Sequence, residues 1–208
     1  MAASSSSISC SFLVLLAAVA AICALPWLPP SAAATAVSGG SAHRHLTAGF
    51  TRVRLKESQF VVQKPYDVPL RDRYKESGGV RIMWVFATDK PISNTHPGGA
   101  RTEIKIFGAA THATTLMLHV YDGKLTYYHD LSRVIADRVY DRWIRLNVVH
   151  DVGAGKVTVF VDGERKLNAT GQGGTAHYFK FGVYKQSHHQ PSHRMESHWK
   201  NVAVYTKK

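Results

Sequence analysis

The stretch TLMLHVYDGKLTYYHD, residues 115–130, carries the first decision about the fold. Leu116, Leu118 and Val120 alternate with Met117, His119 and Tyr121, and the alternation resumes with Leu125 and Tyr127 after Asp122-Gly123. A period of two marks a strand with one buried face, and Asp-Gly between two such runs is the strongest short hairpin signal. The same design returns in KVTVFVDGERKLNA, residues 156–169, with Asp162-Gly163 at its turn. Between the two, DRWIRLNVVHDV puts Ile144, Leu146 and Val148 on one face and Trp143, Arg145 and Asn147 on the other.

Outward from this centre the period stays at two. GVRIMWVFATD alternates from Val80 to Phe86 before KPISNTHPGG interrupts it with prolines and glycines, and TEIKIF follows as a short strand. HYFKFGVYKQ, residues 177–186, separates Phe179, Phe181 and Val183 from Tyr178, Lys180, Tyr184 and Gln186, with Gly182 leaving room among them, and HWKNVAVYTK closes the chain. Only DLSRVIADRVYDRW, residues 130–143, has room for a helical turn. Short strands with turn signals and no period of 3.6 predict an all-β protein, an antiparallel β-sandwich or jelly roll. Its concave, solvated face is the natural groove.

Composition bounds the rest. Residues 1–36 hold the apolar run FLVLLAAVAAICALPWL followed by PPSAAATA, which reads as a secretory signal peptide cleaved near Ala34 or Ala36, although no Lys or Arg precedes the run. A retained membrane anchor is the competing reading, but the run is shorter than the ~20 residues a span needs, so no stable membrane insertion is expected. Residues 37–48 read as a disordered mature N-terminus, and residues 49–208 as one domain, expected to be monomeric. Both cysteines, Cys10 and Cys23, fall in the leader, which excludes a disulfide scaffold. The destination would be the extracellular space, cell wall or vacuole. The 26 basic residues against 14 acidic ones all lie beyond the leader and favour an anionic partner, a small carboxylate or an acidic polysaccharide. No nucleic-acid motif is present, and no cofactor is expected. Asn168, in NAT, is the expected glycosylation site, in a surface loop after a strand.

Two strands present polar sets that differ from a plain exterior. In RTEIKI, Arg101, Glu103 and Lys105 share a face; in YFKFGVYKQ, Tyr178, Lys180, Tyr184 and Gln186 do. Arg offers planar bidentate binding to a carboxylate, Lys a point charge, and Tyr a hydroxyl that can bond or protonate a sugar. His188, His189, His193 and His198 lie in SHHQPSHRMESH without the regular spacing of a zinc site, so no metal is expected. His119 and His150 are the other candidate bases, and nothing in the sequence places either near Tyr184.

RTEIK, YFKFGVYKQ and the run HATTLMLHVYDGKLTYY through ESHWKNV resemble the plant citrate-binding-protein group, whose domain is of the alginate lyase type, polysaccharide lyase family 7. The resemblance implies a concanavalin A-like jelly roll over about residues 48–208, with two strands fewer than the family after Ile106. It implies a ligand groove formed by Arg101, Glu103, Lys105, Tyr178, Lys180, Tyr184 and Gln186. In the lyases, the position of Arg101 neutralises the substrate carboxylate and that of Tyr184 moves a proton. A glutamine–histidine strand completes that machinery, and Phe107-Gly108 stands where its end would be. The expected function is therefore binding of a citrate-like carboxylate or uronate polysaccharide in a basic groove. A polyuronate lyase acting by β-elimination and a shortened, non-functional product are the alternatives.

Overall fold

The computed structural model describes residues 11–18, 46–62, 69–86, 101–108, 114–121, 123–128, 130–171, 177–185 and 194–207. They form β1 (Ser11–Ala18), β2 (Thr51–Val53), β3 (Tyr74–Ser77), β4 (Val80–Phe86), β5 (Arg101–Gly108), β6 (Thr114–Tyr121) and β7 (Lys124–Tyr127). β8 (Asp130–Ala136), β9 (Ile144–Asp151), β10 (Lys156–Val161), β11 (Glu164–Thr170), β12 (His177–Lys185) and β13 (Arg194–Lys207) follow. The larger sheet runs β11-β10-β9-β1-β13-β4-β3, with β2 also on β13; the smaller runs β12-β5-β6-β7-β8. Every pairing is antiparallel. The all-β sandwich expected from the alternation is what the chain adopts.

The two Asp-Gly hairpins form where the sequence places them. At the second, Asp162 and Gly163 have φ of 53° and 94°, the positive pair that a tight turn matched to strand twist requires. The Asp162 Oδ1 accepts the Arg145 N–H at 2.8 Å, which ties this turn to the start of β9. Leu116, Leu118, Val120 and Leu125 of the smaller sheet face Leu146, Val148, Val157, Val159 and Trp199 of the larger, all in one buried cluster. Phe179 and Phe181 pack against it, as their alternation predicted. Phe181 lies 5.1 Å from the Trp199 ring, and Phe60 reaches its other side, edge-on at 6.4 Å.

Two sequence expectations come out differently. Residues 130–136 form the edge strand β8, with no helical turn: once β7 offers its free edge, pairing satisfies a backbone that a lone helical turn would leave open. Asn168 lies inside β11, not in a loop; it is exposed, on the outer strand of the larger sheet, and its Oδ1 accepts the Thr158 hydroxyl at 3.0 Å. Residues 11–18, from the expected leader, form β1 between β9 and β13. An apolar, uncharged octapeptide suits a signal core and an interior strand alike, because both environments exclude water. The expected cleavage points and residues 37–45 lie outside the described residues.

Gly182 has a φ of 134°, and a Cβ built there would stand 2.6 Å from the Met83 Sδ. It therefore does not leave the open space that its place in the sequence suggested; it lets β4 of the opposite sheet approach β12. Gly182→Ala is expected to destabilise the protein by about 1–3 kcal/mol through steric overlap and backbone strain. Denaturant midpoints should show Gly182→Ala and Met83→Ala to be less than additive, because Met83→Ala removes the sulfur that the methyl of Gly182→Ala would strike.

Candidate functional site

The site begins with the pairing of β5 and β12, two segments about seventy residues apart in the chain that hydrogen-bond side by side. Lys105 is opposite Lys180, Glu103 opposite Gly182, and Arg101 opposite Lys185. The register slips between Val183 and Lys185, so Tyr184 is the extra residue of a bulge beside Arg101. Bulges occur preferentially next to functional sites because they re-aim a side chain. Directly opposed residues share a face, so the register gathers Arg101, Glu103, Lys105, Lys180 and the Tyr184 bulge into one strip about two strands wide.

Tyr178 and Lys180 form the open end of this strip. Tyr178 is 53% exposed, and the Lys180 Nζ lies 5.9 Å from its ring centroid. Gln186 lies outside the described residues, as do His188, His189 and His193. His198 is elsewhere, on the outer face of β13, where it pairs with Glu196 and leans toward Trp143. Among the described residues, no group of three or more His, Cys, Asp or Glu side chains is arranged to hold a metal ion.

The sequence did not assign His119 to the site, yet β6 pairs with the other edge of β5 and brings it opposite Glu103. One continuous row thus reads Gly182, Glu103, His119, Thr126 across four strands. His119 is fully buried, and its Nδ1 shares a 3.1 Å hydrogen bond with the Tyr121 hydroxyl, the ring standing edge-on at 5.5 Å. The hairpin register could have paired His119 with Thr126 from sequence, but its neighbour across β5 depends on which strands meet. His119 therefore shares a row with Glu103 but is buried and hydrogen-bonded instead of lying at the surface.

His150 lies away from Tyr184, beside the start of β12. It packs edge-on against His177, centroids 4.4 Å apart, at the start of β12, which places it ~23 Å along the strand from Tyr184. Burial, reinforced by the neighbouring His177, pushes the His150 pKa down to about 4, with Asp151 opposing the shift weakly. A folded-state value below the unfolded ~6.5 means the unfolded chain binds the proton more readily. This contribution to stability is therefore complete above pH 6.5 and is lost as the pH falls from 6.5 through 4. His150→Leu is expected to flatten that acid limb by on the order of 2 kcal/mol, measured by denaturant unfolding between pH 4 and 7.

Fold and strip together define the class: an antiparallel β-sandwich with a basic, tyrosine-bearing strand pair on its smaller sheet. A family model described as alginate lyase matches residues 93–206, and the chain belongs to that family. A citrate-binding protein of Hevea brasiliensis is 41% identical over 189 residues, covering 76% of this chain and 78% of that protein. The resemblance carried by RTEIK and YFKFGVYKQ thus holds over most of the chain. Among solved structures, alginate lyase AlgAT5 from polysaccharide lyase family 7 is similar with a TM-score of 0.47 and 15% identity, over 66% of this chain and 83% of that one. The alginate lyase from Corynebacterium sp. has a TM-score of 0.47 and 11% identity, over 65% and 81% respectively.

Proposed function

We propose that this chain binds an anionic ligand rich in carboxylates, citrate-like or uronate-bearing, along β5 and β12. The observation that carries the proposal is the register: Lys105 stands directly across from Lys180, and Arg101 across from Lys185. Cations gathered at opposed positions concentrate positive potential along the strip and attract a polycarboxylate, with Arg101 taking a bidentate share, Lys105 and Lys180 acting as point charges, and Glu103 orienting Arg101 from two residues away. The Hevea relative's description as a citrate-binding protein supports the small-carboxylate form of this ligand. The apolar N-terminal segment supports delivery to the secretory pathway, and from there to wall or vacuole.

Family membership and the closeness of Arg101 to the Tyr184 bulge favour one second reading, a polyuronate lyase. β-Elimination needs the carboxylate neutralised and a base that reaches the substrate. His119, the histidine nearest the strip by register, is buried and already hydrogen-bonded, which weighs against catalysis. Titration calorimetry with citrate and with oligouronates at two salt concentrations tests the binding proposal; heats that shrink with salt are expected, and their absence for every ligand would end it. Alginate, pectate and glucuronan incubated with the protein separate the readings, because a rise in ultraviolet absorbance from an unsaturated sugar, abolished by Tyr184→Phe, would establish the lyase instead.

A further inference from the structure

NAT, residues 168–170, is a motif that the ligand groove does not use. It lies in β11, the outermost strand of the larger sheet, which pairs with β10 and has no second strand partner among the described residues. A period of two sets Asn168 and Thr170 on one face, and both are exposed, while Leu167 is buried on the other. The Asn168 Oδ1 accepts the Thr158 hydroxyl at 3.0 Å across the ladder, a bond that uses the carbonyl oxygen and leaves the amide nitrogen out. An open depression of about 370 Å³ adjoins it, lined by residues 156–158 and 168–170. The two halves of β11 are defended differently. An exposed strand edge offers unpaired N–H and C=O groups to any other chain, and charged side chains and bulges blunt it. Glu164, Arg165 and Lys166 are charged and exposed, Lys166 bonds to Glu164, and the register slips beside them, between Val159 and Phe160. From Leu167 to Thr170 the strand has neither charge nor bulge, and the motif occupies that half.

We propose that Asn168 carries an N-linked glycan, and that this glycan shields the uncharged half of the β11 edge from pairing with a second copy of the chain. The proposal rests on delivery to the secretory pathway. In the transfer, the Asn168 amide nitrogen bonds to the anomeric carbon of a lipid-pyrophosphate-linked oligosaccharide. The carbon–oxygen bond to the pyrophosphate breaks, the lipid pyrophosphate leaves, and the nitrogen gives up one proton. Thr170 supplies the hydroxyl that the acceptor motif requires. The Asn168 carbonyl oxygen is unchanged by this chemistry, so the bond from Thr158 survives and holds the linkage on the outer face, beside the depression between β10 and β11.

Translation of the full chain in the presence of microsomes tests the site. Protease-protected chain should carry the mass of a single N-glycan, removed by a glycosidase and absent from Asn168→Gln and Thr170→Val. A chain left outside the microsomes would overturn the secretory reading and this proposal together, whereas an imported chain without sugar would overturn this proposal alone. Shielding is read separately, by sedimentation of protein secreted from eukaryotic cells. The glycosylated parent should stay monomeric, and Asn168→Gln should self-associate at about tenfold lower concentration, the equivalent of ~1.4 kcal/mol at the edge. Asn168→Lys also lacks the glycan but puts a charge at the same exposed position, and it should restore the behaviour of the parent. If Asn168→Gln sediments as the parent does, or Asn168→Lys associates as readily as Asn168→Gln, the shielding role is overturned.

Discussion

Trp199→Ala should lower the stability of the domain by about 3–5 kcal/mol, the range for truncating a fully buried large aromatic. Its side chain is 0% exposed, lies against Phe181, and donates its indole N–H to the Ser197 Oγ at 2.9 Å. Truncation thus leaves a cavity between the two sheets and a buried hydroxyl without its donor. Domains of this size have a total stability of about 5–15 kcal/mol, so the loss is a large fraction of the whole, and calorimetry should record a midpoint about 10 °C lower. Trp143→Ala is the matched comparison. Trp143 is 42% exposed, and its main described contact is the Lys200 Nζ at 4.1 Å from the ring, so its loss should cost under about 1 kcal/mol. Equal losses for the two tryptophans would show that the core does not lie where the sheets enclose it.

Arg101→Ala combined with Lys180→Ala should weaken citrate or oligouronate binding about 100-fold. Each contact from a cation to a carboxylate is worth about 1.5–3 kcal/mol where it is well made, and an open groove gives the lower end, so two together come to about 3 kcal/mol. The result must be distinguished from a general loss of positive charge. Lys156 and Arg165 are exposed on β10 and β11 of the other sheet, so Lys156→Ala with Arg165→Ala removes the same charge from a remote surface. That control should reduce the association rate and its salt dependence slightly while leaving affinity within about threefold. If both double variants bind alike, the strip of β5 and β12 is not the site.

Much of the strip could be read before any strand was placed. The alternation in RTEIKI and YFKFGVYKQ fixed which residues share a face, since side-chain period is a local property of extended chain. The partners of those faces were not local. The opposition of Lys105 to Lys180 and of Arg101 to Lys185 follows from β5 lying beside β12, a contact whose two halves are far apart in sequence. His119 was set aside for the same reason: its own hairpin was evident, but the strand on its other edge was not. Gly182 shows the converse error. Its position among polar residues suggested space, whereas the opposing sheet fills that space with Met83.

By itself the sequence determined the all-β class, the two Asp-Gly hairpins, the core faces of the central strands and the excess of positive charge. Each of these depends on period, turn chemistry or composition, and such properties act over a few residues or over the whole chain. Tertiary structure alone decided which strands are neighbours, and with that the row of opposed cations, the burial of His119 and the place of residues 11–18. Strand neighbours depend on contacts between segments far apart in the chain, and no local period or turn encodes them.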